Sequence, residues 1–547
     1  MNKIGHEKGK SPMSEVKIID TDVLVIGGGM AGCFAAIKAG EQGVGVLLVD
    51  KGYTGKSGQT PFASHFSIFN EDWGDELDAW TEQVNRVGNY VNNRVWTEMA
   101  FRDSYARYKD LVSWGVAFQK DENGELLRID SDLGPCRNAL MGRKVFAESL
   151  RKQALKIGAN IMDRIMITDL LKQDGRIVGA IGIPMDKYEM FAIRSKATVL
   201  CAGAAGFKPP GWPIHALTAD GDAMAYRAGA EITGKEFADT HATDAEHPAY
   251  HDFPKKISDG PTMGRLFNAE GNEIAGRGTL FLDLEFEAHA GRAPLTLETP
   301  DGKKIIRIGG GASGMSVHKA EGIWPTDTDC STSLPGLYAA GDALGTMQMG
   351  AVYGTKGCGL GGASVTGARA GTSAADYSKE ADKPEIDEKE LTRLKETIRM
   401  PVKRKGGFSP RWVTQLLQNN MFPYYIMFIK KEDRMNAALT FVEFMRDHLA
   451  PKLTAKDPHE LRLALETKNM ILNAEMRLRA SLFRTESRGC HYREDYPRRD
   501  DPNWLVWVLL KEENGEMTAF KKPIPEAWWP DLSKPYEERY PWRVPGE

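Results

Sequence analysis

Three glycines, Gly27, Gly29 and Gly32, stand in a G-x-G-x-x-G pattern directly after the apolar run 22–26 (DVLVI). That spacing suits the cradling of a diphosphate. The first glycine permits a tight turn, the second lets the backbone approach the phosphates, and the third allows close helix–strand packing. A helix opening at Met30 and Ala31 presents free N–H groups and the positive end of its dipole to such an anion. Asp50, followed by Lys51, closes a second apolar run at 44–49. An acid there can accept hydrogen bonds from the ribose hydroxyls of an adenosine half. A second match, Gly309-x-Gly311-x-x-Gly314, follows a strand-like run at 303–308, but no helical pattern and no acid-tipped strand come after it. It is read as a chance repeat. His241, Asp244, His247, His251 and Asp252 are of metal-ligand type, yet their spacing fits neither a helical H-x-x-x-H pair nor a finger. A solvated loop is expected there, and no metal site.

The elements that must position these residues are legible around them. Strand 22–26, the glycine turn, an alanine-rich helical pattern at 30–42 and strand 44–49 make a βαβ unit, the opening of a doubly wound sheet. Helices are expected at 95–114 and 144–156. Strands are expected at 176–184 and 196–201, the latter running into Ala202-Gly203-Ala204. From 236 to 323 the pattern turns irregular and rich in Gly, His and Pro, as in an inserted domain; 334–342 (LPGLYAAGD) returns to the sheet. A charged linker, 378–389, precedes a helical region in which Asp457-Pro458 makes a helix start, with Asp as cap and Pro at the first position. Five of the twelve tryptophans (Trp504, Trp507, Trp528, Trp529, Trp542) fall in the last stretch. They either wrap their own domain or anchor a partner chain, a role Trp and Tyr favour.

Composition narrows the class. A chain of 547 residues suggests two to four domains, and 41% hydrophobic with 27% charged residues is that of a globular enzyme. The net charge is −4 with no basic stripe, so a nucleic-acid partner is excluded. No apolar run approaches the roughly 18 residues of a membrane span. The polar start carries no secretory pattern, and a cytoplasmic location is expected. The six cysteines are scattered singly without a C-x-x-C pair, so an iron–sulfur cluster delivering electrons would belong to another subunit.

Four further segments carry a family resemblance: 219–224 (ADGDAM) followed by 228–231 (AGAE), 335–342 (PGLYAAGD), 360–364 (LGGAS) and 484–504 (RTESRGCHYREDYPRRDDPNW). With the glycine turn they resemble the T-G-D-G, P-G-L-Y-A-A-G-E, L-G-G-N-S and C-terminal signatures of the fumarate reductase/succinate dehydrogenase flavoprotein family. That family includes the alpha subunit of adenylylsulfate reductase. The resemblance implies an α/β fold: a Rossmann-like FAD-binding domain interrupted by an α+β capping domain and followed by a C-terminal helical region. The expected boundaries are a disordered leader at 1–19, FAD-binding parts at 20–238 and 324–378, capping at 239–323, helices at 379–505 and a Trp-rich tail at 506–547. The expected cofactor-binding residues are Gly27, Gly29, Met30, Ala31, Gly32, Asp50, Lys51, Ser57, Gly58, Ala202, Gly203, Asp220, Gly341, Asp342, Gly361 and Ser364. In respiratory members a histidine bonded covalently to the flavin stands where this chain has Gly58, which implies non-covalent FAD.

The same resemblance suggests where a substrate would sit. His241 in EFADTHAT matches a substrate-facing histidine, and His318 lies where a second is often found. The proton-donating arginine of R-G-E-G-G has no aligned partner at 259–264; Arg265 is displaced from it, and as an exposed arginine it is expected to pair with Glu270 rather than act as proton donor or anion clamp. The substrate-carboxylate arginine falls on Gly359, leaving Lys356 nearby. Arg488 either faces the active site or braces the C-terminal region. The resulting expectation is a flavin-dependent oxidoreductase that reduces or forms an activated C=C bond in a small organic acid. Electrons would be exchanged with a partner protein or carrier, within an oligomer or heteromer. Sulfur-oxyanion chemistry like that of adenylylsulfate reductase, or a non-catalytic flavin-binding assembly role, are the alternatives.

Overall fold

The computed structural model describes residues 13, 15–131, 133–142, 145–209, 215–239, 243–244, 265–274, 286–287, 289–298, 305–309, 315–316, 320–540 and 546. Its centre is a seven-stranded sheet. The first strand, β1 (Lys17–Ile26), leads through the glycine turn into helix α1 (Met30–Glu41) and strand β2 (Val46–Asp50). Further along come β3 (Asn160–Asp163), β4 (Ile165–Gln173), β5 (Arg176–Pro184), β6 (Phe191–Leu200) and β7 (Leu337–Ala339). The order across the sheet is β3-β2-β1-β6-β5-β4, with β7 also on β6. Strands β3, β2, β1, β6 and β7 run parallel, whereas β6, β5 and β4 form an antiparallel meander. One edge of β6 is therefore divided: residues 191–194 pair with β5, and 198–200 with β7. β1 begins at Lys17, earlier than its apolar run, because Lys17–Thr21 pair with Phe191–Ser195 although their own side chains are largely exposed.

Val23, Leu24 and Val25 are fully buried. Each such side chain contributes about 1.5–3 kcal/mol on leaving water, which fixes the register of β1 in the core. Helix α3 (Cys358–Glu380) lies across α1, with α2 (Asp220–Ala228) preceding it in the chain. The approach is close because Gly367 and Gly371 meet bare backbone. An added Cβ would stand 2.8 Å from Ala31 Cα at the first and 2.7 Å from Ala35 Cα at the second.

The chain leaves the sheet domain at Ile232–Thr233 and returns at Gly322–Ile323, and these two short strands pair with each other. Between them, the described residues include a four-stranded antiparallel sheet built from 243–244, 305–309, 295–298 and 265–267. The C-terminal part contains helices α4 (Glu388–Lys403) and α5 (Pro458–Phe483). Asp457 caps α5 by accepting the Glu460 N–H at 2.8 Å, with Pro458 at the first position. The tail forms a hairpin, β8 (Val506–Glu513) and β9 (Glu516–Pro523), and β8 pairs with Ile232–Thr233. Trp504 and Trp507 are buried, and the Trp507 indole N–H donates to the Val91 carbonyl at 2.8 Å. Among the described residues no helix is long and apolar enough to cross a membrane.

Candidate functional site

The carboxyl ends of the parallel strands share one edge of the sheet, where ligands bind in open α/β folds. Three backbone hydrogen bonds stitch that edge together: Gly27 N–H to Val49 O, Cys201 N–H to Ile26 O, and Ala340 N–H to Leu200 O, all within 3.0 Å. The glycine turn, Asp50, Ala202–Gly203 and Gly341–Asp342, up to 315 positions apart in the chain, therefore converge. Gly27 sits at φ +110°, and a Cβ there would run into the Cys201 carbonyl. Gly341, at φ +69°, rests on the first turn of α1: a Cβ there would stand 2.8 Å from Ala31 Cβ. Its N–H donates to Thr366 Oγ1 at 3.0 Å.

The N-terminus of α1 has no side-chain cap. Its first N–H groups thus keep the capacity and the positive potential that suit an anion. Met30 N–H is the exception, donating to Thr60 Oγ1 at 3.0 Å, a partner with no signature in the sequence. Space remains open around several glycines. A Cβ on Gly58 would meet nothing within 4 Å, and one on Gly203 nothing closer than 3.8 Å. An uncapped helix terminus facing open, glycine-lined backbone fits the diphosphate of a dinucleotide. Asp50 Oδ2 accepts Gly28 N–H at 2.6 Å and Oδ1 accepts Gly52 N–H at 2.7 Å. Burial pushes its carboxyl above the usual range against those two bonds. Each oxygen keeps a lone pair for a further donor.

Several expected cofactor contacts have other partners. Lys51 donates to Asp220 at 2.6 Å and to Thr218 Oγ1 at 2.7 Å, and pairs with Glu466 at 3.1 Å. Burial opposes its charge, but Asp220 and Glu466 outweigh that and hold it above the ordinary lysine range. Asp220 also accepts from Asn469 of α5. Lys51 and Asp220 thus tie the end of β2 to the helical region. The Ser57 hydroxyl accepts Tyr53 N–H, and the Ser364 hydroxyl donates to the Gly361 carbonyl within α3.

The candidate catalytic residues separate sharply. His241, His318 and most of the metal-type cluster lie outside the described residues, as do 310–314 of the second glycine motif and the 259–264 segment. Arg265 is exposed and pairs bidentately with Glu273, at 2.7 and 3.1 Å, rather than with Glu270. The Phe267–Glu273 bridge carries Glu273 back beside it. Lys356 is exposed two residues before α3 and makes no hydrogen bond or ion pair with a described residue. Arg488 is fully buried. Nε and one Nη2 proton go to Glu486, Nη1 goes to Asn89 O and the Tyr540 hydroxyl, and Nη2 also reaches Asp501. All five donors are engaged within the protein, which matches the bracing alternative for Arg488.

Sequence reasoning missed a buried ionic layer beneath this edge. Lys235 binds Asp222, Glu321 at 2.9 Å and Asn473 at 3.0 Å, and Glu321 also accepts Ala205 N–H. Nearby, Lys430 donates to the Glu236 carbonyl at 2.6 Å and bonds His491 Nδ1 at 3.0 Å. Burial, helped by Arg477 and Arg493, lowers Lys430 to about 7. His491, desolvated and beside Lys430, is held neutral, with Nε2 directed at the Arg484 carbonyl. Partners up to 238 positions apart left no local signal.

Two family profiles match this chain: the FAD binding domain over residues 22–275 and the fumarate reductase flavoprotein C-terminal domain over 415–534. The chain belongs to the fumarate reductase/succinate dehydrogenase flavoprotein family and is a flavin-dependent oxidoreductase with an FAD-binding fold. It is 27% identical to one of the chains of the fumarate reductase (CoM/CoB) of Methanothermobacter marburgensis, over 91% of this chain and 98% of that one. It is 26% identical to the 8-methylmenaquinol:fumarate reductase flavoprotein subunit of Wolinella succinogenes, covering 92% and 91% of the two chains. In fold it resembles Mycobacterium smegmatis Sdh1 in complex with UQ1, with a TM-score of 0.81 at 23% identity over 97% and 99% of the chains. Adenylylsulfate reductase of Archaeoglobus fulgidus is also similar, with a TM-score of 0.78 at 19% identity over 93% and 97%.

Proposed function

We propose that this chain reduces, or in reverse forms, an activated C=C bond of a small organic acid, exchanging electrons with a partner subunit or carrier. The observation that carries the reading is the open, glycine-lined edge beside the uncapped N-terminus of α1, joined by the Gly341 turn and the start of α3. FAD held there supplies hydride exchange at N5. The chain's residues must then bind the acid and manage a proton. Lys356, exposed before α3 and without a partner among the described residues, is the proposed site for the substrate carboxylate, and His241 is the proposed hydrogen-bonding partner of the activating group. Asp50 is the proposed acceptor for the ribose hydroxyls. Similarity to proteins named for fumarate reduction supports this reading; for sulfur chemistry there is the likeness of fold to adenylylsulfate reductase.

Anaerobically reduced holoprotein mixed with fumarate and a panel of other enoates should regain its flavin absorbance near 450 nm with at least one of them. Reoxidation by none, alongside a spectral change with sulfite and AMP, would overturn the proposal. Gly58, in place of the histidine that bonds flavin in respiratory relatives, also makes us propose non-covalent FAD. Acid precipitation should leave the yellow colour in the supernatant; colour retained in the pellet would refute it.

A further inference from the structure

A cavity of about 690 Å³ opens between edge strand β4, helices α2, α4 and α5, and the tail hairpin. Its volume lies within the roughly 300–1,000 Å³ of small-molecule sites. Its walls are largely hydrocarbon, including Leu170, Met224, Leu394, Ile398, Leu465 and Leu472. Four of the cations lining it are already engaged. Arg227 holds Asp169 and Asn469, Arg393 holds Glu390, Arg446 holds Glu475, and Lys172 donates to the Ala228 carbonyl.

Lys468 is different. It lines the same cavity from α5 but makes no hydrogen bond or ion pair with any described residue. Desolvation, then the neighbouring Arg227, hold its ammonium below the usual lysine range, and Asp169 only partly compensates. A desolvated cation whose nearest strong influence is another cation is costly unless an anion meets it. The second free group is the phenol of Tyr226. This residue is only 7% exposed, yet its hydroxyl makes no hydrogen bond with a described residue. It lines the cavity wall, where its O–H can donate to whatever occupies the space. The one rim acid without a partner among the described residues, Glu512, is exposed to solvent.

We infer that this cavity binds an amphipathic organic anion, its carboxylate against Lys468, its hydrocarbon body along the leucine-rich wall, and Tyr226 donating to it. The inference is independent of the flavin chemistry, because none of the groups it uses belongs to the dinucleotide edge.

Sodium octanoate is the probe, titrated calorimetrically into flavin-loaded protein, with octanol and inorganic phosphate as controls. Octanoate should bind once per chain and raise Tm, while either control alone binds at least tenfold more weakly. Lys468→Met should weaken octanoate at least tenfold and Tyr226→Phe about threefold, with Lys468→Arg retaining binding and the 450 nm absorbance unchanged throughout. Equal affinity for octanoate and octanol, unaltered binding by Lys468→Met, or no octanoate binding at all would each overturn the inference.

Discussion

Gly32 gives the most direct test of how the dinucleotide edge is built. It lies in the first turn of α1 and faces back onto the glycine bend. An added Cβ would stand 2.9 Å from the Gly27 carbonyl carbon and nearer still to its oxygen. The carbon contact is roughly 0.6 Å short of the ~3.5 Å at which carbon atoms pack comfortably, and the oxygen contact is tighter still, so the backbone must give by more than that. The obstacle is backbone held by the Gly27 N–H bond to Val49 O and by Gly28 N–H on Asp50, so it cannot rotate aside. Either α1 moves outward or the bend opens, and both displace the N–H groups proposed to face the diphosphate. Overpacking of this kind costs about 1–3 kcal/mol. If all of it is felt in the loaded state, Gly32→Ala weakens FAD roughly 5- to 150-fold. The assay is flavin content per chain from absorbance near 450 nm, followed by fluorescence titration of stripped protein with FAD. Gly406→Ala is the control, because a Cβ there meets nothing within 4 Å. If Gly32→Ala binds FAD as the parent does, the contact between α1 and the bend does not shape the site.

Other perturbations probe the buried ionic layer. Arg488→Met leaves Glu486 and Asp501 without their shared cation, a loss of about 3–5 kcal/mol for a buried pair. A marked fall in Tm is therefore expected; an unchanged Tm with abolished turnover would instead restore Arg488 to the active site. Lys430 titrates near 7 when folded but near 10.4 in an unfolded chain, so between these values the unfolded state holds more protons and stability rises with pH. The contribution is at most about 1.4 kcal/mol per pH unit. Denaturant unfolding at pH 7 to 10 should show this slope in the parent and a flatter one in Lys430→Met; parallel slopes would refute the assignment. Gly371→Leu should force α3 off the Ala35 backbone and lower both Tm and flavin content, whereas unaltered values would show that the helix contact is dispensable.

The sequence by itself determined the strand–turn–helix–strand unit, the helix start at Asp457 and the family. These rest on signals within about 30 residues: apolar periodicity, capping chemistry and glycines whose spacing matches one turn of backbone. The close approach of Gly367 and Gly371 to α1 emerged only from the structure. What the charged residues do was decided only by the tertiary structure. Lys51 reads as a neighbour of the ribose acid, yet its carboxylate partner Glu466 lies on α5. Arg488 reads as an active-site candidate, yet Asn89 and Tyr540 close around it. Arg265 pairs with Glu273 rather than Glu270 because a bridge returns the chain beside it. A long cationic side chain takes whichever carboxylate or carbonyl packing brings within reach, and packing joins segments hundreds of residues apart.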